Sequence, residues 1–466
     1  CVLTFILKKQ MQNFIFYMSL TGITLSLFSI SQCSETEALY GSFVSNNFTV
    51  IFRILILLGT AVTIFLSKDY VKSFGKSMGE FYFLILTASL GGMLLCGAND
   101  LIMVFIALET LSISSFALCG YTKADKLSNE AALKYLIFGS VSTGVMLYGF
   151  SFIYGITGQT NLKDISAFLI NYDINSILIV AFLLISAGFG FKISMAPFHA
   201  WTPDTYQGAP IPVAAYLSVV STTAGFAVLI RFMNLLFADI ALFSIIIAVF
   251  AAITMTLGNL AALEQQNIKR LMAYSSIAHA GYILLGLAIM TADGITAIVF
   301  YLITYLFMNF GAWAAVETFV MVTGKDNIDD FNGLSYKHRY FTLGFALCLL
   351  SLAGIPITAG FFSKFYLFKA VALAGYGYMP LLIIALINTA IALFYYMRVI
   401  KALYVKPENE IQPINFIKAS FPLKAVMALA VTGVIFLGIF AAPFIKMSEM
   451  ANKVNHVNQV NLSMKL

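Results

Sequence analysis

The stretch AGFGFKISMAP, Ala187–Pro197, sets Lys192 inside an apolar run and follows it with a proline. A near echo, AGFFSK at Ala359–Lys364, has Pro356 just ahead of it. Proline removes a backbone donor and breaks the helical hydrogen-bond ladder. Broken spans in corresponding halves of an inverted repeat are a sequence pointer to a transport site. Unwound backbone at membrane depth must face protein or water, because lipid cannot satisfy it. Two broken spans, each carrying a lysine, are therefore expected.

The rest of the chain makes the membrane setting unavoidable. Of 466 residues, 60% are apolar and 10% charged, with 43 Phe and a mean hydropathy of +0.91. Soluble domains run at roughly a quarter charged, so this chain cannot coat a surface in water. Thirteen segments have spanning length: 14–30, 48–66, 81–98, 101–118, 131–154, 177–196, 213–232, 240–260, 271–289, 297–320, 341–362, 381–399 and 426–440. Ahead of them, Val2–Leu7 reads as the tail of a truncated or missing helix. Alternate connections carry the cations: Lys68 and Lys72, Lys123 and Lys126, Lys269 and Arg270, Lys325 and Lys337, Lys401 and Lys424. That alternation orients the chain by the positive-inside rule. The connection 197–212 breaks it, with Asp204 and His199 but no Lys or Arg. The excess of lysine over arginine hints at an AT-rich genome. The five cysteines share no metal-site spacing, there is no Walker-type phosphate loop, and no serine has a triad context. A nucleic-acid partner is not implied by the net charge of +6.

Ionisable residues inside spans are costly and face a protein interior or a wet cavity. Glu109, Lys134, Lys192 and Lys364 are the candidates. Arg53 reads as a snorkelling residue near a helix end, and Glu317 is left open between the two readings. Burial penalises a lysine's charge and a nearby carboxylate favours it. Moving that carboxylate's influence, or its proton, switches the lysine between charged and neutral. His279 can join such a relay, since an imidazole both donates and accepts; a structural ion pair or a hydrogen-bonded histidine is the plainer alternative.

Six strings now carry a resemblance: Glu80–Leu95 (EFYFLILTASLGGMLL), Ala107–Ser115 (ALETLSISS), Ser128–Leu136 (SNEAALKYL), Gly190–Ser218 (GFKISMAPFHAWTPDTYQGAPIPVAAYLS), Asn267–Tyr282 (NIKRLMAYSSIAHAGY) and Ser351–Phe368 (SLAGIPITAGFFSKFYLF). The chain from about Phe48 to Lys406 resembles the antiporter-like subunit N (subunit 2) of proton-pumping NADH:quinone oxidoreductase, respiratory complex I. The resemblance implies an all-α, polytopic, antiporter-like fold in one transmembrane domain over 1–466. Two inverted five-helix repeats would cover approximately 81–232 and 240–399. It implies a proton pathway through Glu109, its partner Lys192, and Lys364 at the outlet end. Glu130 and Lys134 would border that pathway, and Lys269 and His279 match further motif positions. One departure stands out: Thr222 occupies the place of the family's central lysine. A hydroxyl can hold a water chain but cannot store a proton as an amine does. Waters at Thr222, held by it with Ser221, Thr223 and His279, are the expected bridge.

The implied function is proton translocation driven by quinone reduction elsewhere in the complex. No cofactor is expected on this chain, and its implied partners are the lipid bilayer and other membrane-arm subunits. The alternatives are the matching subunit of a cation/proton antiporter, a membrane hydrogenase or a ferredoxin-using plastid-type complex, or a non-conducting structural subunit. The expected location is an energy-transducing membrane, with the mitochondrial inner membrane ranked ahead of bacterial and thylakoid ones.

Overall fold

The computed structural model of the chain describes residues 12–32, 36–73, 78–170, 172, 174–237, 241–405 and 420–451. The expected helix tail at Val2–Leu7 lies outside the described residues. Helices dominate the described residues, and the only strands among them form a small antiparallel hairpin, β1 Thr36–Ala38 with β2 Phe43–Ser45. Ahead of it lies α1 Gln12–Ser31, and after it come α2 Asn47–Ser73, α3 Met78–Gly97, α4 Leu101–Cys119 and α5 Lys126–Thr157. A short α6 Leu162–Leu169 leads to α7 Ser176–Lys192, α8 Trp201–Gly208 and α9 Ile211–Tyr216. A π-helical turn over Leu217–Ser221 joins α9 to α10 Thr222–Leu236. Next are α11 Ala241–Leu263, α12 Ile268–Ala288, α13 Ala292–Thr323, α14 Leu334–Lys337 and α15 Arg339–Ala353. The chain closes with α16 Ala359–Leu373, α17 Met379–Tyr404, α18 Phe421–Ile439 and a further helical stretch over 441–451.

Among the described residues, ten helices are long and apolar enough to cross a membrane. Three shorter apolar helices, Phe14–Ile30, Ser176–Lys192 and Arg339–Ala353, cover the remaining expected segments. Polar caps end the helices. Asp100, Asp125, Asn175 and Asn267 each accept from a backbone N–H of the first turn, and so satisfy donors that the helix cannot.

Burial separates an inner from an outer set of helices. The segment Ile211–Leu236 is wholly buried and α12 and α13 nearly so, whereas α5, α11, α17 and α18 bury less than half of their apolar windows. On α5 the inner face carries Ser128, Ala131, Tyr135, Gly139, Thr143 and Met146. Its outer face shows Leu133, Ile137, Phe138 and Val141. Small and polar residues inside with large apolar ones outside is the pattern for helices that pack together in lipid. The lysines meant to face the interior are therefore surrounded by side chains that can bond them.

Candidate proton pathway

Both expected breaks are present, and each contains its proline. Helical structure stops at Lys192 and resumes at Trp201; it stops again at Ala353 and resumes at Ala359. The freed backbone groups find protein partners. Trp201 Nε1 donates to the Phe191 carbonyl at 3.1 Å, Met195 N to Gly190 O at 2.7 Å, and Ala196 N to Thr254 Oγ1 at 3.0 Å. At the second break Gly360 N donates to Ser351 Oγ at 3.0 Å.

Lys192, 2% exposed, ends α7 and points its ammonium at α4 and α5. Nζ donates to Ser112 Oγ at 3.1 Å and to Tyr135 OH at 3.4 Å. Tyr135 is fixed by stacking on Trp201, ring centroids 4.3 Å apart, and by an edge contact with Phe116 at 4.7 Å. Family placement suggested a direct or one-water contact between Glu109 and Lys192, and the direct form is not present, because Nζ is turned to Ser112 and Tyr135. Ser112 holds that place, three residues along α4 from Glu109 and so on the same helical face. Glu109 is half-buried and acts on Lys192 through its charge.

Lys192 also leans on α10. A Cβ on Gly225 would lie 2.7 Å from Ile193 Cγ2 and 3.3 Å from Lys192 Cγ, so only glycine lets the lysine stem pass. One turn before Gly225 stands Thr222, buried, whose hydroxyl donates to the Leu217 carbonyl at 3.0 Å. That carbonyl belongs to the π-helical turn, whose wider winding shifts the local hydrogen-bond pattern. Tyr206 lies near enough to Thr222, and Tyr135 to Ser221, for the paired hydroxyls to interact. Thr222 is thus set among hydroxyls. Of the expected helpers, Ser221 serves this half, whereas the bonds of His279 lie in the other.

Lys364 is held differently. Its ammonium donates to the carbonyls of Leu352 at 3.1 Å and Ala353 at 3.0 Å. These are last-turn carbonyls of α15, left without intrahelical donors by the break and carrying the negative end of the helix dipole. The ring of Tyr282 lies 4.9 Å from Nζ. His279 Nδ1 meets Tyr301 OH at 2.7 Å and Nε2 meets Tyr396 OH at 3.2 Å, while Tyr396 bonds Ser275. Tyr305 donates to Ser276 at 3.0 Å and packs its ring 5.1 Å from His279.

A row of buried hydroxyls and rings lies between the two lysines. On the first side Lys192 bonds Tyr135, and Ser221, Thr222 and Tyr206 lie beyond it, with Tyr206 within electrostatic range of Tyr305. On the other side Tyr305 bonds Ser276 and packs on His279, whose ring meets that of Tyr282 beside Lys364. Each hydroxyl both donates and accepts, which is what proton transfer along a row requires. The tyrosines carry most of this row. They were missed from sequence, where an aromatic in an apolar run reads as packing.

Glu130 and Lys134 sit at the protein's lysine-rich face rather than inside. Lys134 Nζ pairs with Glu130 at 2.7 Å and with Asp204 at 2.6 Å, and Arg270 reaches the other Asp204 oxygen at 2.6 Å. The lysine-free connection 197–212 thus has its cations supplied by α5 and α12. Burial pushes the Asp204 carboxyl up, but the bonds from Lys134 and Arg270 outweigh it and hold it below the usual carboxylate range. Lys269 pairs with Asp326 at 3.1 Å on the same face. Arg231, which the sequence reading passed over, is a buried anchor to Gly97 O and Thr49 Oγ1. Glu317 is wholly buried, with neither oxygen bonded.

Residues 98–394 match the family model described as NADH:quinone oxidoreductase/Mrp antiporter, TM. The NAD(P)H-quinone oxidoreductase subunit 2 of Synechococcus sp. strain JA-3-3Ab is 43% identical over 442 residues, covering 93% of this chain and 83% of that protein. A chain in the structure of respiratory complex I from Thermus thermophilus with bound aureothin matches with a TM-score of 0.81 at 32% identity, covering 96% of this chain and 95% of that one. A chain of the Mrp complex from Dietzia sp. DQ12-45-1b shares the fold, with a TM-score of 0.82 at 20% identity over 95% of this chain and 92% of its own.

Proposed function

Since the chain belongs to the NADH:quinone oxidoreductase/Mrp antiporter transmembrane family, we propose that it is a proton-translocating membrane-arm subunit of a quinone-reducing complex. The observation that carries this reading is the hydroxyl and imidazole row between the two buried lysines. Lys192 takes a proton while Glu109 favours its charge, and gives it up when that influence is withdrawn. The proton then passes by way of Tyr135, Thr222, Tyr206 and His279 to Lys364, whose carbonyl cradle receives it. No redox step falls on this chain: electrons move elsewhere in the complex, and the other membrane subunits are its partners. The two broken helices serve as equivalent gates of two inverted repeats. The relatives are cyanobacterial, which favours a bacterial or thylakoid membrane over the mitochondrial one ranked first from sequence.

A non-conducting scaffold draws its support from Thr222, but that residue lies near the buried hydroxyls of Ser221 and Tyr206 rather than among apolar side chains alone, which favours a polar route past it. Vesicles carrying the assembled complex decide between them. Lys192→Ala should leave assembly intact and lower donor-driven acidification; unchanged acidification would leave the scaffold reading standing. Purifying the native complex and identifying its peripheral subunits tests the choice of parent machine.

A further inference from the structure

Along α13 every fourth residue from Tyr301 is polar or has a polar atom: Tyr301, Tyr305, Asn309, Trp313 and Glu317. All five are buried. A four-residue step advances about 40° around an α-helix beyond a full turn, so such a row winds rather than running straight. Its partners change accordingly. Tyr301 and Tyr305 meet His279 and Ser276 on α12, and Trp313 Nε1 donates to Ser218 on the π-helical turn at 3.1 Å. Glu317, one turn further, lies within electrostatic range of Asp69 and Tyr70 of α2. Tyr301 and Tyr305 thus belong with the row already described, Trp313 meets it only through Ser218, and Glu317 turns away from it toward the lysine-rich face.

Glu317 is the anomaly. It is 0% exposed and neither carboxyl oxygen has a hydrogen-bond donor, while Oδ2 of Asp69 is buried and equally unbonded. The other Asp69 oxygen is 3.5 Å from Lys72 at the surface. Among the described residues Asp69 is the charged group acting on Glu317. A bare carboxylate in such a place is prohibitively costly, whereas a carboxylic acid costs only what a polar group does. Asp69, with its side chain 27% exposed, is the acid within electrostatic range of Glu317 that reaches solvent.

We propose that Glu317 holds a transferable proton at the lysine-rich end of this winding row, taken up by way of Asp69 and Tyr70. The proton adds to one carboxyl oxygen and leaves from the same group, and no electron moves. Its onward acceptors are the hydroxyls of Ser218 and Tyr206. Trp313 can only donate, so it positions Ser218 and takes no part in the transfer. Tyr206 packs edge-on against Trp313 at 6.1 Å and joins the row at Thr222. This site rests on the proton-pumping reading and gives the row a branch toward the inner face that does not pass through Lys192.

The test uses membrane vesicles carrying the whole complex, with donor-driven quenching of a pH-sensitive dye and infrared difference spectra in H2O and D2O. Four forms are compared: wild type, Glu317→Gln, Glu317→Asp and Lys192→Ala. Glu317→Gln keeps the shape of the neutral acid, so assembly should be normal. The deuterium-sensitive band of a protonated carboxyl should disappear and the pumping rate should fall. Glu317→Asp should retain the band and restore part of the rate. If Lys192→Ala lowers pumping while Glu317→Gln pumps at the wild-type rate, this proposal is overturned and the parent reading stands. An unchanged carboxyl band in Glu317→Gln overturns it whatever Lys192→Ala does. Should Glu317→Gln fail to assemble, Asp69→Asn reads the same uptake route, and undiminished pumping in that variant is equally fatal.

Discussion

Lys364 owes its position to a residue with no side chain. Gly354 ends α15 at φ +88°, and its turn presents the Leu352 and Ala353 carbonyls to the lysine. A Cβ there would sit 2.9 Å from Lys364 Cδ. Left-handed backbone costs a non-glycine residue about 1–2 kcal/mol, and the new methyl would also push the lysine off its carbonyls. Gly354→Ala should therefore lower thermal stability by about that amount and depress pumping, while Gly375→Ala, with nothing within 4 Å of its Cβ, should share only the first effect. Melting curves of the solubilised complex beside vesicle acidification separate the two. Thr222 calls for the opposite substitution. Thr222→Val removes one hydroxyl whose bond to Leu217 is worth about 1 kcal/mol net, a small change in stability. Its expected effect on acidification is larger, because the row loses a member that both donates and accepts. Equal pumping by Thr222→Val and wild type would move the proton route away from this residue.

At the scale of elements, both broken helices could be read from sequence because proline in an apolar run has a single physical consequence at membrane depth. So could the side of each break its lysine occupies, since Pro197 follows Lys192 and Pro356 precedes Lys364; the partners each lysine meets there could not. Lys192 closes the helix before the first break, and Lys364 lies in the second turn after the other, so the two meet different partners. The π-helical turn at Leu217–Ser221 was equally hidden, since no propensity marks it. The polar step of four along α13 was visible and went unread, because tyrosine and tryptophan in an apolar run look like packing. Asp204 was legible as an oddity and is explained only by tertiary structure: Lys134 and Arg270 come to it from α5 and α12, clamping α8. That clamp has a pH signature. A carboxyl held below its unfolded value stabilises the fold fully above that value, about 3.9 for aspartate, and the contribution fades as pH falls through the folded one. Asp204→Asn should cost about 1 kcal/mol at neutral pH, allowing for a partly exposed pair. Melting temperatures of variant and wild type should converge as the pH is lowered through that range; a gap that stays constant would mean the carboxyl's charge contributes nothing.

For the whole molecule the decisive matter is which face is which, since a proton route has no meaning without direction. The clamp of Lys134, Asp204 and Arg270, the Lys269–Asp326 pair and the Lys325–Asp330 pair all belong to one face. The opposite face carries the hairpin, tied down by Lys163 to Glu37 and by Asn99 to the Gly41 carbonyl. There, too, Asp293, Lys369 and Glu449 gather around a cavity between α13, α16 and the helix over 441–451. The chain after α18 thus returns to the lysine-poor face, as the alternation of charge requires. Cations accumulate on the side from which they are not translocated, so the clamp faces inward and the hairpin outward. Lys325 and Lys163 are both well exposed, at 64% and 46% of their side chains, and suit a membrane-impermeant label. In sealed right-side-out vesicles a thiol reagent should modify Lys163→Cys and leave Lys325→Cys untouched until the membrane is opened. Inverted vesicles should give the reverse. The same vesicles acidify inside when Asp69 and Glu317 lie on the uptake side, so labelling and pumping must agree in sign. Reversed labelling would turn the molecule over and make the Glu317 branch an outlet.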